Sequence, residues 1–145
     1  MPRPPTPDEA AIMAILRAAD HLRRRYTDLL APHNLTLQQY NVLRILRGAG
    51  PGGLPTLTIA ERMIEQAPGI TRLLARLMRK RLVARTRDNA DQRIVVCRIT
   101  AAGRRLLDQL DDPVARADAA AVSGVPRRDR PRLVALLTSL TNDAR

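Results

Sequence analysis

The feature that most constrains this chain is a strongly basic block with a regular apolar pattern inside it. Residues 72–105 contain ten arginines and Lys80 against two acids, Asp88 and Asp91, and so carry +9 of the formal net charge of +11. A block of this kind is either a disordered arm or a folded surface that meets a polyanion. Its apolar residues recur first at helical and then at strand spacing, which predicts a folded surface.

The size and composition of the chain predict one domain with its own core. Of the 145 residues 45% are hydrophobic, which excludes general disorder, and we expect a short disordered tail at 1–5 before a single domain at 6–145. No apolar run suits a membrane span or a secretory signal, so we expect a cytoplasmic protein with no membrane partner. The single cysteine, Cys97, excludes an intramolecular disulfide and a multi-thiolate metal site within one chain.

Two capping boxes predict where the first two helices begin. Thr6 with Glu9 begins a helix that an apolar stripe continues to about Ala31, and Thr36 with Gln39 begins the second helix. The second helix is expected to end at a glycine-rich loop.

A third, short helix and a longer fourth helix are predicted next. Thr56 or Thr58 can cap the third helix, whose expected buried side is Ile59, Ala60, Met63 and Ile64. The turn Ala67-Pro68-Gly69 leads into the fourth helix, which should run from about Gly69 to Arg81. The fourth helix has an apolar face, Ile70, Leu73, Leu74 and Leu77, and a cationic face, Arg72, Arg76, Arg79 and Lys80.

After the fourth helix the apolar period changes from 3.6 to 2, which predicts a β-hairpin. Its first strand contains Val83, Arg85 and Arg87, and Val95, Cys97 and Ile99 share one face of its second strand. Thr100 then caps a fifth helix that continues past Pro113 towards Val122. A last helix, beginning near Asp129 to Pro131, carries Leu133, Leu136, Leu137 and Leu140.

This order of elements predicts a mostly α fold with a small β-hairpin wing. The winged helix-turn-helix spans about residues 35–100, and long helices flank it at about 7–31 and 101–142. The major groove of DNA is about 12 Å wide and admits one helix, and arginine is the usual bidentate reader of guanine there. Two tyrosines are the only aromatic residues, which argues against single-strand binding by base stacking. The expected partner is therefore double-stranded DNA.

Three stretches resemble the MarR family of bacterial transcription regulators. Asp91-Gln92-Arg93, followed by Ile99-Thr100-Ala101-Ala102-Gly103, is similar to the wing signature of that family, an Asp-x-Arg before Leu/Ile-Thr-x-x-Gly. The stretches 35–43 and 68–77 fit the family pattern in the same order, and the resemblance extends from about residue 8 to residue 142. It implies a ligand-responsive transcriptional repressor.

The resemblance also implies which side chains meet the DNA. The N-terminal part of the recognition helix reads base edges in this family, and the matching residues are Gln66, Thr71, Arg72 and Arg76. Phosphate contacts are expected from the wing strand, at Arg85 and Arg87. Phosphate contacts add affinity and salt dependence but carry no sequence information.

The wing tip has its own implied roles. Arg93 matches the arginine that enters the minor groove, where narrow A·T-rich segments concentrate negative potential. Asp91 matches its partner acid, which we expect to orient neighbouring arginines such as Arg72 or Arg76. Asp88 is expected to shape the hairpin turn.

The chain departs from the family pattern at Arg81, where relatives usually have glycine between the recognition helix and the wing. Glycine suits the left-handed conformation that ends a helix, and arginine there costs roughly 1 kcal/mol if that geometry is kept. Either the turn is strained or the helix ends differently.

Family members are two-fold dimers whose terminal helices interleave, which would cover the apolar stripes left on the first and last helices. The resemblance therefore implies a homodimer with recognition helices about 34–36 Å apart and an inverted-repeat operator. A small-molecule effector is the family norm, bound between the terminal helices and the winged helix. His21, Tyr26 and Tyr40 could line such a cleft or be structural, so the effector-binding residues stay unassigned.

Other functions have weaker support in the sequence. Cys97 is expected to face the core with Val95 and Ile99 rather than to act as a redox switch. His21 and His33 are poorly spaced for a metal, and a hydrolase built on them with Asp28 would lack a nucleophile near a base. We expect no enzyme, metal or cofactor. The remaining alternative is a winged helix for non-specific nucleic-acid or protein binding without effector control.

Overall fold

A computed structural model describes residues 1–66 and 68–142. These residues form a mostly helical fold with one antiparallel hairpin, as the order of sequence patterns predicts. The elements are α1 (Pro7–Leu30), α2 (Leu37–Ala49), α3 (Thr56–Arg62), α4 (Ile70–Arg79), β1 (Val83–Arg87), β2 (Val95–Ile99), α5 (Ala101–Ala121) and α6 (Arg130–Asn142). Short 3₁₀ turns occupy Ala31–His33 and Arg127–Asp129. The chain forms two compact units, Met1–Val114 and the segment from Ala115 onward.

Both predicted capping boxes are confirmed. Thr6 Oγ1 accepts the Glu9 N–H at 3.2 Å while the Glu9 carboxylate accepts the Thr6 N–H at 2.7 Å. Thr36 Oγ1 and the Gln39 side chain make the same reciprocal pair at 3.1 and 3.2 Å. Each box satisfies N–H groups that have no partner within the first turn of a helix, so local sequence alone sets these two starts.

The boundaries of α3 differ from the prediction. Pro55 is its N-cap, so the two candidate capping threonines lie inside the helix and cap nothing. The helix ends before Met63, and Ile64 is 80% exposed rather than buried. Ile59 is fully buried, as predicted. The prediction extended α3 too far because apolar residues at helical spacing continue beyond Arg62, where this helix of seven residues ends. Apolar spacing alone does not mark the end of a helix.

The core lies in the first unit, where the end of α1, α2, α3, α4, β2 and the first part of α5 contribute its largest fully buried side chains. Leu73, Leu74 and Leu77 of α4 are buried there, which confirms the predicted apolar face. Cys97 and Ile99 are buried on β2, but Val95 is 40% exposed because it pairs with Arg87 at the far end of the hairpin. Its predicted place in the core is therefore wrong.

The later helices follow the predicted pattern. Thr100 Oγ1 accepts the Gly103 N–H at 3.1 Å and so caps α5, which continues through Pro113 to Ala121. In the second unit α6 begins at Arg130, directly after a 3₁₀ turn, within the predicted range. Of the predicted turn before α4, Pro68 and Gly69 form a turn, and Ala67 lies outside the described residues.

Arg81 keeps the glycine-type geometry that ends α4. Its φ is +59°, in the left-handed region, so the strained alternative of the sequence prediction is correct. The Arg81 N–H donates to the Met78 carbonyl at 2.9 Å and the Leu82 N–H to the Leu77 carbonyl at 3.0 Å, the two bonds of a Schellman motif. Thr100 Oγ1 donates to the Arg81 carbonyl at 2.8 Å, which holds the turn against the start of α5.

Replacing Arg81 with glycine should therefore stabilise the protein. Arg81→Gly removes the steric cost of a side chain at positive φ and should raise the free energy of unfolding by about 0.5–1 kcal/mol. Urea denaturation at fixed protein concentration measures this change.

Arg79→Gly is the matched control, because it removes the same charge two residues earlier. Arg79 lies in the last turn of α4, where glycine lacks the steric advantage and costs up to about 1 kcal/mol. If both variants lost stability equally, the left-handed backbone at Arg81 would not be a source of strain.

Candidate nucleic-acid interface

The outer face of α4 presents three arginines, Arg72, Arg76 and Arg79. All three are exposed, on the side opposite the buried leucines, because an α-helix places residues three and four apart on one face. None of their side chains forms an ion pair or hydrogen bond with any residue that the structure describes. This face therefore carries positive charge that no described side chain neutralises.

Lys80 was predicted on the same cationic face, but it has a structural role as well. Its ammonium group donates to Gln39 Oε1 at 2.9 Å and to the Asn34 carbonyl, and its side chain is half-buried. Gln39 is 3% exposed and also belongs to the capping box of α2. Lys80 therefore ties the C-terminal end of α4 to the start of α2. Sequence spacing could not reveal this, because Gln39 lies 41 residues away.

The N-terminal part of α4 differs from the prediction at Gln66. The helix begins at Ile70, so Gln66 lies on the exposed segment before it and not on the helix. Thr71 is exposed in the first turn, close to the predicted position. The start of α4 lies one residue after the predicted Gly69, which is its N-cap, and no side-chain cap marks it.

The segment between α3 and α4 contacts α1 and α2 through Ile64 and Glu65. The Ile64 N–H donates to Asn41 Oδ1 at 2.9 Å, and Arg23 Nε of α1 lies 2.6 Å from Glu65 Oε1. Neither contact was predicted, since each joins residues more than 20 positions apart. Both contacts connect the segment before α4 with α1 and α2.

The wing is the antiparallel hairpin of β1 and β2. Its register pairs Val83 with Ile99 and Arg87 with Val95. The Asp88 N–H donates to the Ile94 carbonyl at 2.8 Å, and Asp88 Oδ2 accepts the Asp91 N–H at 3.3 Å. Asp88 therefore shapes the hairpin turn, as predicted.

At the tip of the wing, Asp91 pairs with Arg93 itself. Asp91 Oδ1 accepts from the backbone N–H and from Nε of Arg93 at 3.0 and 3.2 Å, and Oδ2 accepts from its terminal nitrogen at 3.3 Å. The prediction that Asp91 orients Arg72 or Arg76 is therefore not met. The Arg93 side chain is 91% exposed, so Asp91 orients it while leaving it open to solvent.

The two arginines of β1 differ in their surroundings. The Arg85 side chain is exposed and makes no ion pair or hydrogen bond with a described residue. Arg87 donates to the Gln92 carbonyl at 2.8 Å and so braces the turn of the hairpin. Arg85 is free to meet an outside anion, whereas Arg87 also holds the shape of the wing.

Close backbone contacts fix the base of the wing. Leu54 exchanges both backbone hydrogen bonds with Cys97, at 2.8 and 3.0 Å, and adds an unpredicted bridge beside β2. A Cβ on Gly103 would lie 2.5 Å from the Leu82 carbonyl oxygen and 2.7 Å from Ile99 Cγ1. Only glycine fits there, which explains the glycine that ends the wing signature.

An ion pair joins α2 to the first part of α5. Arg47 binds Asp111 through two nitrogens, at 2.8 and 2.9 Å, and lies 3.5 Å from Asp108. Hydrogen bonding to Arg47 lowers the pKa of Asp111 below its usual value, and the same bonds raise the pKa of Arg47. The bidentate geometry favours one relative orientation of the two helices.

A cleft of about 230 Å³ lies between α1, α2 and the segment after α3. Its walls are mainly apolar, and the residues with polar tips include Tyr26, Tyr40 and Arg44. Arg44 lies over the Tyr40 ring, 5.8 Å from its centre. His21 is exposed and lies outside the lining, so only the two tyrosines of the predicted group contribute.

Residues 1–66 and 68–142 contain no group of three or more histidine, cysteine or acidic side chains that could hold a metal ion. None of their helices has the length and apolarity needed to cross a bilayer.

Comparisons with known proteins agree with this geometry. The MarR family profile matches residues 35–95. The crystal structure of a MarR transcription factor from Planctomyces limnophilus is 33% identical with a TM-score of 0.71, over 94% of this chain and 98% of that one. The p-coumaroyl-CoA complex of CouR from Rhodococcus jostii is 26% identical with a TM-score of 0.77, over 88% of each chain.

Two characterised relatives are transcription regulators. The HTH-type transcriptional regulator TtmR of Methylorubrum extorquens is 36% identical over 108 residues, which are 74% of this chain and 54% of that protein. The chain thus spans about half the length of TtmR. The homoprotocatechuate degradative operon repressor of Escherichia coli is 28% identical over 75% of this chain and 72% of its own length.

The pairing at the wing tip should be visible in the titration of Asp91. Side-chain and then backbone hydrogen bonds from Arg93 lower the pKa of Asp91, so Arg93→Ala should raise that pKa towards its usual value. Carboxyl-carbon NMR against pH measures the change. Because the folded-state pKa is lowered, the pair stabilises the wing above about pH 4, and this contribution is lost as the pH falls through the folded-state pKa.

Asp111 provides an internal control in the same titration. Its pKa is lowered by Arg47, far from the wing in sequence, and should not move in Arg93→Ala. An Asp91 pKa unchanged by the substitution would contradict the pairing.

Proposed function

Because this chain belongs to the MarR family of transcription regulators, we propose that it is a ligand-responsive repressor that binds an inverted-repeat operator as a homodimer. The observation that carries the DNA-binding part of this proposal is the positive outer face of α4, which no described side chain neutralises, together with the exposed Arg93 at the wing tip. A helix and a hairpin presenting cations together suit a duplex, whose major and minor grooves lie side by side.

In the proposed complex α4 enters the major groove. Arg72 and Arg76 carry guanidinium groups that can read guanine by two hydrogen bonds, and Thr71 lies in the first turn beside them. Gln66 precedes the helix and would reach the DNA from the segment after α3. We therefore assign base readout to the exposed face of α4 and to Gln66 in the segment before it.

The wing supplies the second set of contacts. Arg93 enters the minor groove with its guanidinium oriented by Asp91, which limits the conformational entropy that binding costs. Arg85 contacts backbone phosphate, and Arg87 does so while also bracing the hairpin turn. The phosphate contacts fix the position of the protein on the duplex.

Exposed apolar side chains support the homodimer. On α1, Ile12, Met13 and Leu16 are 47–60% exposed, and on α6 the exposed apolar residues are Val134, Leu136, Leu137 and Leu140. Large apolar patches on a single chain mark surfaces that bind a partner. A second copy covering both helices would bury them and place two recognition helices for an inverted repeat.

The cleft between α1 and α2 is the proposed effector site. Its mainly apolar walls and few polar tips suit a small organic ligand, and CouR is a relative whose structure holds p-coumaroyl-CoA. Ile64 and Glu65 line the cleft only a few residues before α4 begins. A ligand that displaced this segment would shift α4, and it would favour the conformation to which it binds more tightly. The repressor role is proposed by analogy with the E. coli repressor.

Removing the wing arginine should weaken operator binding strongly. Arg93→Ala deletes the proposed minor-groove contact and should reduce operator affinity by about one to two orders of magnitude, since an interaction of this class contributes about 1–3 kcal/mol. Fluorescence anisotropy with a labelled operator fragment, identified by recovering bound genomic DNA, measures the loss.

Arg127→Ala is the matched control, because Arg127 is exposed outside the basic block and should leave affinity nearly unchanged. Sedimentation equilibrium should show a dimer for both variants. Unchanged operator binding in Arg93→Ala would contradict the minor-groove role, and a stable monomer of the unmodified chain would contradict the homodimer.

Base readout and phosphate contact can be separated with two further variants. Arg76→Ala should change which operator bases are tolerated, whereas Arg85→Ala should weaken all sequences about equally and lower the salt slope by about one for each phosphate that Arg85 neutralises. Binding to a library of operator variants at several salt concentrations measures both effects.

Equal losses from Arg76→Ala and Arg85→Ala across all sequences would mean that the two roles are wrongly assigned. If the unmodified protein bound random duplex as tightly as any genomic fragment, the chain would be a non-specific nucleic-acid binder rather than a repressor.

A further inference from the structure

A second, larger cleft lies beside α4. It has a volume of about 630 Å³ and lies between the C-terminal half of α4 and the turn that joins α1 to α2. Its polar lining consists of Asn34, Thr36, Gln39, Arg76, Arg79 and Lys80.

The charge of this cleft is entirely positive. Three of its lining residues are cations and none is acidic. The side chains of Arg76 and Arg79 make no ion pair or hydrogen bond with any described residue, and Lys80 has neutral acceptors. The described residues therefore give this cleft no counter-charge.

The position of the Lys80 ammonium group is fixed at the cleft wall. Its two acceptors, Gln39 Oε1 and the Asn34 carbonyl, are neutral, so they orient the group without cancelling its charge. Gln39 is itself held by the capping box of α2. Lys80 is the single lysine among the 25 lysine and arginine residues of the chain. Its compact ammonium charge lines the cleft together with the planar guanidinium groups of Arg76 and Arg79.

We propose that this cleft binds a phosphate group, which the DNA backbone supplies when α4 lies in the major groove. A guanidinium fork matches two phosphate oxygens and an ammonium group adds a fixed charge, so Arg79 and Lys80 together suit a phosphate, while Arg76 keeps its proposed role in base readout. The proposal rests on the proposed DNA-binding function and adds Arg79 and Lys80 to the residues that contact the duplex. It places a backbone anchor beside the face that reads base edges.

The salt dependence of duplex binding tests the proposal. Each phosphate contact contributes about 0.9 to the slope of log affinity against log salt, so Arg79→Gln should lower the slope by about 0.9 per cleft, or about 1.8 in a dimer. Affinity for operator and for random duplex should fall by the same factor, because phosphate contacts carry no sequence information. Arg79→Lys, which keeps the charge, should retain most of the slope, and Arg127→Gln is the matched control on an exposed arginine outside the cleft.

Inorganic pyrophosphate distinguishes a backbone phosphate from a free one. Titrated without DNA and followed by calorimetry, it should bind weakly to the unmodified protein and not to Arg79→Gln. Tight pyrophosphate binding that Arg79→Gln abolishes, with an unchanged slope, would overturn the DNA source and identify a phosphorylated metabolite as the ligand.

An unchanged slope together with no Arg79-dependent pyrophosphate binding would overturn the cleft as a phosphate site. The proposed function fails separately, if the unmodified protein shows no preference for any duplex sequence. The pyrophosphate titration decides the phosphate chemistry of the cleft even in that case, because it uses no DNA.

Discussion

The burial of three leucines on one side of α4 is the interaction on which the rest of the structure depends. Leu73, Leu74 and Leu77 are at most 9% exposed, and each contributes about 1.5–3 kcal/mol by leaving water. Because a helix has only one orientation that buries this stripe, the same packing directs Arg72, Arg76 and Arg79 outward. The apolar core therefore sets both the fold of the first unit and the direction in which its positive charge points.

The arginines of this protein fall into two groups: some join structural elements through ion pairs or hydrogen bonds, and others are exposed without a partner among the described residues. Arg47 bound to Asp111 and Arg23 bound to Glu65 join elements distant in the chain, and Arg87 braces the hairpin by donating to a backbone carbonyl. The outer arginines of α4 have no such partner among the described residues. Repulsion between like charges held close together destabilises a folded protein, and a bound anion reduces that repulsion. The arginines of α4 therefore lower the stability of the free protein and favour the binding of a polyanion.

Sequence patterns predicted the elements well wherever the cause lies within a few residues. Both capping boxes and the Asp88 turn depend on hydrogen bonds that span three to six positions. The prediction was wrong where the position or exposure of a residue depends on a distant contact or on the length of a short element. The end of α3, the position of Gln66 before α4 and the exposure of Val95 all depend on where the core stops.

The sequence by itself determined the order of helices and strands, the amphipathic character of α4 and the presence of the wing signature, because these depend on local spacing and residue type. Only the tertiary structure decided that Asp91 orients Arg93, that Lys80 fastens α4 to Gln39, and that Glu65 reaches back to α1. A sequence shows which side chains can pair, but it does not show which pairs meet. Even at the wing tip, where Asp91 and Arg93 are two residues apart, the pairing depends on how the chain folds around them.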